Sequence, residues 1–202
     1  MLWRPSAWLC TKAEVCAFIG CGIQAESHLR AFADLFPLKE IRAFGRGRPN
    51  IEALCESAAD LGFEAVPCSS AKDAVTDADL IVTSVTYSAA LEPFLDAGWL
   101  KPGAFAYVTD LAAPWIRDSL RNFDRIVIDD LEQEASLPNK LAPAELITGD
   151  LSGLVLGEIE GRVGDTDRTA FIYRAYSLAD LALAALAYQK AVEIGLGTSI
   201  KA

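Results

Sequence analysis

The sequence of 202 residues contains few of the side chains that metal sites and disulfide frameworks require. It has one histidine, His28, and five cysteines, an odd number that includes no Cys-x-x-Cys pair. We therefore expect neither a zinc site nor a disulfide framework, and we expect reduced thiols. Because the sequence also has no Gly-x-Ser-x-Gly motif, a hydrolase with a nucleophilic serine is disfavoured.

Basic residues and long apolar runs are also scarce. Lys and Arg number 18 against 28 Asp and Glu, which gives a formal net charge of −10. Such a charge disfavours nucleic acid and anionic membrane surfaces as partners, so small molecules are the expected ligands. No apolar run reaches the roughly 18 residues of a membrane span, and the first ten residues lack a signal-peptide cleavage site. We expect a cytoplasmic protein, and the 52% of hydrophobic residues is enough for a sizeable core.

Predicted strands and helices alternate over the first two thirds of the chain. Apolar runs typical of strands are separated by segments that have apolar residues at helical spacing or a residue typical of a helix cap. This alternation predicts a Rossmann-type α/β fold with a doubly wound parallel sheet of strand order 3-2-1-4-5-6, in a domain of residues 15–150. The predicted strands are residues 14–19, 40–44, 63–66, 79–85, 104–108 and 125–129. The predicted helices are residues 24–35, 51–61, 70–76 and 115–123.

The pattern changes after residue 131, where glycine and proline become frequent. A long apolar segment, residues 169–194, is predicted to be helical throughout, to be buried against another part of the protein and to end at Gly195. We therefore predict a C-terminal helical extension over residues 151–202. Residues 1–14 form a short segment before the first domain.

A glycine-rich loop joins the first predicted strand to the first predicted helix. Its residues, Gly20-Cys21-Gly22-Ile23-Gln24-Ala25, fit the pattern Gly-x-Gly-x-x-Ala. In such a loop the first glycine permits a tight turn, the second lets the backbone approach a pyrophosphate, and the small third residue packs the helix on the strand. The pattern alone is weak, and two glycines could simply form a strand-to-helix turn. Its position between a strand and a helix favours a dinucleotide site.

The end of the second predicted strand bears on which dinucleotide is bound. An NAD site usually has an Asp or Glu there, roughly 20 residues after the glycines. This sequence instead has Phe44-Gly45-Arg46-Gly47-Arg48-Pro49. Guanidinium groups suit a 2′-phosphate, so Arg46 and Arg48 favour NADP(H). NAD(H), with two solvated arginines nearby, is the alternative.

Four sequence blocks together resemble the ornithine cyclodeaminase/mu-crystallin family. The first is the glycine loop with the Ser27-His28-Leu29-Arg30-Ala31 stretch that follows it. The second is Ala78-Asp79-Leu80-Ile81-Val82-Thr83-Ser84-Val85-Thr86. The third runs from Trp99-Leu100-Lys101-Pro102-Gly103-Ala104 to Val108-Thr109-Asp110. The last comprises Gly161-Arg162, Asp180-Leu181-Ala182 and Gly195-Leu196-Gly197-Thr198.

The resemblance implies an NAD(P)-dependent enzyme that acts on amino acids or cyclic imines. Cyclodeamination and reduction of a C=N bond by hydride transfer both remain open, and a homodimer is the implied assembly. Asp110 is the implied catalytic acid/base beside the nicotinamide ring, although an aspartate before a helix can also be a helix cap. The implied cofactor contacts beyond the glycine loop are Thr83, Val85, Thr86 and Val108, although Thr83 and Thr86 could equally be simple strand formers.

The chain departs from the family pattern in several places. Members carry an N-terminal substrate-binding and dimerisation region before the glycine loop, whereas only residues 1–14 precede it here. Leu111-Ala112-Ala113-Pro114 also replaces the family's Pro-Gly-Lys run. A protein that binds NADP(H) without turnover, or a truncated remnant of such an enzyme, is therefore the alternative function.

We expect no catalytic role for a few further side chains. His28 is expected to be structural, and nothing suggests a redox role for Cys21. Tyr173, Arg174 and Tyr176 are expected to pack.

Overall fold

The computed structural model describes residues 12–88, 90–175, 177–198 and 200, and for Ser177 and Leu178 it describes the backbone only. One parallel sheet of eight strands contains every described strand, in the order β3-β2-β1-β4-β5-β8-β6-β7. The strands are β1 (Val15–Ile19), β2 (Glu40–Phe44), β3 (Glu64–Pro67), β4 (Leu80–Thr83), β5 (Phe105–Val108), β6 (Arg125–Ile128), β7 (Ile147–Asp150) and β8 (Thr169–Ile172).

Helices connect these strands, as a parallel sheet requires. They are α1 (Ile23–Leu35), α2 (Arg48–Asp60), α3 (Ala71–Val75), α4 (Leu131–Ser136), α5 (Leu151–Leu156) and α6 (Ser177–Glu193). Short 3₁₀ helices occupy Ala97–Trp99, Arg117–Asn122 and Ala144–Leu146. Among the described residues, no helix is long and apolar enough to cross a membrane.

The core lies on both faces of the sheet, because strands β1 and β4 are buried on both sides. One face packs against α3 and the 3₁₀ helices, and its largest buried side chain is Trp115. The other face packs against α1 and α2 through residues such as Leu29 and Leu54. This two-sided burial confirms the predicted Rossmann-type α/β class.

The predicted strand order is confirmed for the first five strands and wrong for the sixth. β8 lies between β5 and β6, in parallel register with both, with Ala170 opposite Ala106 and Ile126. The strand β7 at the far edge was also absent from the prediction. Both strands are four residues long, and periodicity in so short an apolar run does not distinguish a strand from a buried helix segment.

Two further predictions need correction. The segment of residues 169–194 is not helical throughout, because Thr169–Ile172 is a sheet strand and the helix begins only at Ser177. The predicted extension over residues 151–202 therefore contributes a strand to the sheet. Residues 115–123 form a short 3₁₀ helix, Arg117–Asn122, where a longer helix was predicted.

The predicted burial of the last helix is also wrong within this chain. Every residue of α6 from 179 to 193 is exposed except Ala191, which is partly exposed. The helix ends near Gly195 as predicted, and this glycine has a positive φ of 67°.

Candidate dinucleotide site

The glycine loop lies where the carboxyl ends of three adjacent strands meet. The Gly20 N–H donates to the Phe44 carbonyl at the end of β2, at 2.8 Å. On its other side Gly20 faces the residue after β4, and a Cβ at Gly20 would lie 2.6 Å from the Ser84 carbonyl oxygen. Its φ of +92° is also in the region that favours glycine. Both the backbone conformation and the contact with Ser84 therefore require glycine here.

The second glycine opens the amino end of α1 to a ligand. Gly22 is the N-cap residue and provides no side-chain cap, and a Cβ there would meet nothing within 4 Å. Ile23 and Gln24 in the first turn are exposed, whereas Ala25 lies on the inner face of the helix and is fully buried. A helix of 13 residues that has no side-chain cap and has open space beside its N-cap residue favours an anion at this end.

A cleft of about 630 Å³ begins beside this loop. Its walls follow the carboxyl ends of β1, β2, β3 and β4, which is where ligands bind in open parallel sheets. Four predicted positions line it, namely Gly20, Arg46, Val85 and Thr86. The other lining residues are Ile19, Cys21, Phe44, Gly45, Gly47, Asn50, Ser69, Ser70, Ala71, Lys72, Leu91, Phe94 and Trp99.

The structure separates the two predicted phosphate-binding arginines. Arg46 lines the cleft, whereas Arg48 is the first residue of α2 and its Nε donates to Glu52 at 2.7 Å. Both side chains of this pair are largely exposed. The structure therefore brings Arg46, but not Arg48, to the cleft.

Asp110 follows β5 and is turned into the protein. Its carboxylate accepts hydrogen bonds from the Thr83 hydroxyl and the Val85 N–H, both at 3.0 Å, and the residue is only 5% exposed. Burial raises the pKa of Asp110 to about 6, although these two hydrogen bonds oppose the increase. Asp110 is thus an acid whose protonation changes near neutral pH.

The backbone after Asp110 is strained. Leu111 and Ala112 have φ values of 60° and 56°, a conformation that non-glycine residues seldom adopt. Such strain is common at functional sites.

Two other predicted cofactor contacts are interior. Thr83 is fully buried, and its oxygen is also 3.4 Å from the Trp115 Nε1 that donates to it. Val108 is buried at the end of β5. Thr83 therefore contacts Asp110 rather than the cleft.

Several lining residues were missed by sequence reasoning. Ser69, Ser70 and Lys72 follow β3, and because β3 pairs with β2 they lie beside the Arg46 loop. The parallel order of the strands could have placed them there. Leu91, Phe94 and Trp99 come from the long connection between β4 and β5, and no local pattern marks them.

The remaining candidates have structural contacts. The His28 ring packs on Tyr107, with centroids 5.0 Å apart, and burial raises the pKa of the Cys21 thiol to about 12. Arg174 forms a buried ion pair with Glu134 at 2.8 Å. Tyr176 lies outside the described residues, and among the residues that are described no cluster of His, Cys, Asp or Glu could hold a metal.

Comparison with known proteins identifies relatives in sequence and in fold. Rat ketimine reductase mu-crystallin is 36% identical over 102 residues, which are 50% of this chain and 31% of that protein. The fold matches Thermococcus litoralis Δ1-pyrroline-2-carboxylate reductase in complex with NADH and L-proline, with TM-score 0.83 and 23% identity over 96% of this chain and 63% of that one. It also matches an archaeal alanine dehydrogenase dimer with bound NAD, with TM-score 0.82 and 23% identity over 96% and 62%.

The chain thus spans less than two thirds of the length of each of these relatives. The sequence profile of one family covers nearly all of it, from residue 8 to residue 195. The chain therefore belongs to the ornithine cyclodeaminase/mu-crystallin family.

Proposed function

We propose that this chain forms the dinucleotide-binding part of an NAD(P)-dependent enzyme that acts on amino acids or cyclic imines. The observation that carries the proposal is the glycine loop, where Gly20 cannot accept a side chain and Gly22 leaves the amino end of α1 open. The ketimine and pyrroline-carboxylate reductases among its relatives support a C=N bond as the reacting group. Cyclodeamination, which also passes through a C=N bond, belongs to the same proposal.

The residues present fit a dinucleotide. The backbone of Gly22, Ile23 and Gln24 would hold the pyrophosphate, because these residues form the open amino end of α1. Phe44 and Phe94, whose rings contact each other edge to face with centroids 6.3 Å apart, would provide an apolar surface for the adenine in the cleft. When bound, the nicotinamide supplies hydride transfer.

Asp110 is the residue that we propose to move the proton. Reduction of a C=N bond adds a hydride to carbon and a proton to nitrogen, and a carboxyl group with a pKa of about 6 can hold that proton near neutral pH. The Thr83 hydroxyl and the Val85 N–H fix the orientation of this carboxyl group. In the opposite direction the carboxylate would accept the proton from a substrate amine.

One observation favours a second candidate, a dinucleotide-binding protein without turnover. Both Asp110 oxygens already accept hydrogen bonds from the protein, and the side chain is buried. Such a carboxylate can instead serve to hold the β4 and β5 ends together. Imine reduction by the unmodified protein distinguishes the two candidates, because the second predicts that NADPH or NADH binds without turnover.

Gly22→Val tests the proposed site. The new side chain would occupy the open space at the amino end of α1, so we expect NADH and NADPH binding to be lost in calorimetric titration while the far-ultraviolet circular dichroism stays unchanged. Ser27→Val is the control, because it places the same valine side chain at an exposed position further along α1. Undiminished binding in Gly22→Val would contradict the proposed function.

A homodimer is the assembly that we propose. The archaeal alanine dehydrogenase among the structural matches is a dimer, and the exposed apolar surface of α6 suits self-association.

A further inference from the structure

The electrostatics of the cleft differ from those of the chain as a whole. The chain carries a net charge of −10. Among the described residues that line the cleft, however, no Asp or Glu occurs, and the charged side chains are Arg46 and Lys72. A cleft of this composition attracts an anion. Its described lining lacks the carboxylate that usually binds the ribose 2′-hydroxyl of NAD.

The two cations lie in segments that follow neighbouring strands, and Lys72 is the second residue of α3. Arg46 follows β2 and Lys72 follows β3, and these strands are paired in parallel with Ile41 opposite Ala65. The Cys68 N–H also donates to the Ala43 carbonyl at 2.8 Å, so the two carboxyl ends remain together beyond the strands. The fold thus brings Arg46 and Lys72 to one wall of the cleft.

Lys72 is held in this position without a salt bridge. Its Nζ lies 5.9 Å from the centroid of the Trp99 ring, a distance typical of a cation–π contact. The neighbouring Asp73 accepts a hydrogen bond from the Ser69 hydroxyl at 2.9 Å, and the described ion pairs include neither Lys72 nor Arg46. Neither cation is thus held in an ion pair among the described residues, whereas Arg48 is paired with Glu52.

We propose that Lys72 and Arg46 together form the subsite for the 2′-phosphate of NADP(H), and that Lys72, not Arg48, is the second cation. Asn50 and Ser70, which line the same end of the cleft, add neutral hydrogen-bonding groups. This inference rests on the proposed dinucleotide site and specifies which residues select the cofactor. The phosphate, when bound, would lie between residues that follow β2 and β3.

Three charge-removing substitutions test the assignment. Lys72→Gln and Arg46→Gln should each weaken NADPH binding by about tenfold and change NADH binding by less than about twofold, because each removes a charge-assisted contact to phosphate. Arg48→Gln is the matched control, since it removes the same charge outside the cleft, and it should leave both affinities unchanged. Lys72 and Arg46 are exposed, so these variants should fold, which circular dichroism checks.

The dissociation constants are measured by calorimetry with NADPH and NADH. Raising the salt concentration should reduce the preference for NADPH in the unmodified chain, and less so in Lys72→Gln. An equal loss of both cofactors in Lys72→Gln, no loss of either, or a larger effect of Arg48→Gln on NADPH would overturn the subsite while leaving the proposed function intact. No binding of either dinucleotide by the unmodified chain would instead contradict the proposed function, and this subsite with it.

Discussion

At the residue scale, Asp110 connects two parts of the candidate site. Its carboxylate accepts from Thr83 at the end of β4 and from Val85, which lines the cleft. Trp115 donates to Thr83 in turn, so a buried row of polar groups runs from Trp115 through Thr83 to Asp110. A change in the charge of Asp110 should therefore affect both proton transfer and the wall of the cleft.

Asp110→Asn tests the proposed acid/base role. If Asp110 transfers the proton, its replacement should lower kcat by about a hundredfold or more while the dinucleotide affinity stays within about threefold, since Asn keeps the shape and can accept from Val85. The assay uses proline-type cyclic imines with NADPH or NADH, and ornithine with NAD. Asp118→Asn is the control, because Asp118 is almost fully exposed.

A normal kcat in Asp110→Asn, with weakened dinucleotide binding, would identify Asp110 as a residue that only positions the Val85 segment. In the acid/base case, imine reduction by the unmodified enzyme should decline as the pH rises through about 6, because the protonated carboxyl group is the active form. This decline should be absent from the variant.

The raised pKa of Asp110 also predicts a pH-dependent stability. The pKa is about 6 in the folded chain and 3.8 as the ordinary value, so the folded state holds the proton more tightly between these values. The wild type should therefore lose up to about 3 kcal/mol of unfolding free energy relative to Asp110→Asn as the pH rises from about 4 to about 6. Urea unfolding of both proteins across this range measures the difference, and a constant difference would contradict the prediction.

At the scale of elements, the amino ends of three strands are joined by one carboxylate. Asp79 precedes β4 and accepts from the Glu14 and Val15 N–H groups at 2.9 and 3.0 Å. It also forms an ion pair of 2.5 Å with Lys101, which precedes β5. Burial alone would raise the pKa of Asp79, but the hydrogen bonds from Lys101, Val15 and Glu14 lower it overall.

Asp79→Asn should therefore destabilise the fold by about 1 to 3 kcal/mol, because an amide oxygen replaces a carboxylate with three donors. Since the pKa is lowered in the folded state, this contribution is present above the ordinary pKa of 3.8 and is lost as the pH falls below it. Chemical unfolding at pH 7 and pH 3 tests both statements, with the exposed Asp34→Asn as control. Equal stability of wild type and Asp79→Asn at pH 7 would show that these bonds contribute little.

Element prediction succeeded where the apolar pattern was long or capped. The sequence located α1 and α2 because apolar residues recur at helical spacing. It also located the short helix α3, whose N-cap Ser70 accepts from the Asp73 N–H. It missed β8, because Thr169–Ile172 has no periodicity of its own and is a strand only because β5 and β6 provide hydrogen bonds on both sides. The strand order near β6 could not be predicted for the same reason.

At the scale of the whole molecule, α6 is unlike the rest of the fold. Its apolar side chains Leu181, Leu183 and Leu186 are half to two thirds exposed. Apolar residues occur on more than one face of this helix, a pattern that is typical of a buried helix. An exposed helix of this kind predicts association with another protein surface.

Replacing Leu181, Leu183 and Leu186 by Gln should thus reduce self-association and the fluorescence of a dye that binds apolar surfaces. The substitutions should leave the urea-unfolding midpoint of the sheet domain nearly unchanged, because these side chains are exposed in the chain. Sedimentation velocity at several concentrations measures the association. A large loss of unfolding free energy would instead show that α6 packs on its own domain.

The amino-acid sequence by itself determined the alternation of strands and helices, the position of the glycine loop and the absence of a carboxylate after β2. Each depends on residues close together in the chain, so local conformational preferences and motif spacing were enough. Only the tertiary structure decided which side chains share the cleft, because the pairing of β2 with β3 brings Arg46 and Lys72 to the same cleft, whereas Arg48 lies outside it and pairs with Glu52. It likewise decided that Asp110 faces Thr83 and Val85, since the raised pKa of that carboxyl group arises from burial between strands distant in sequence.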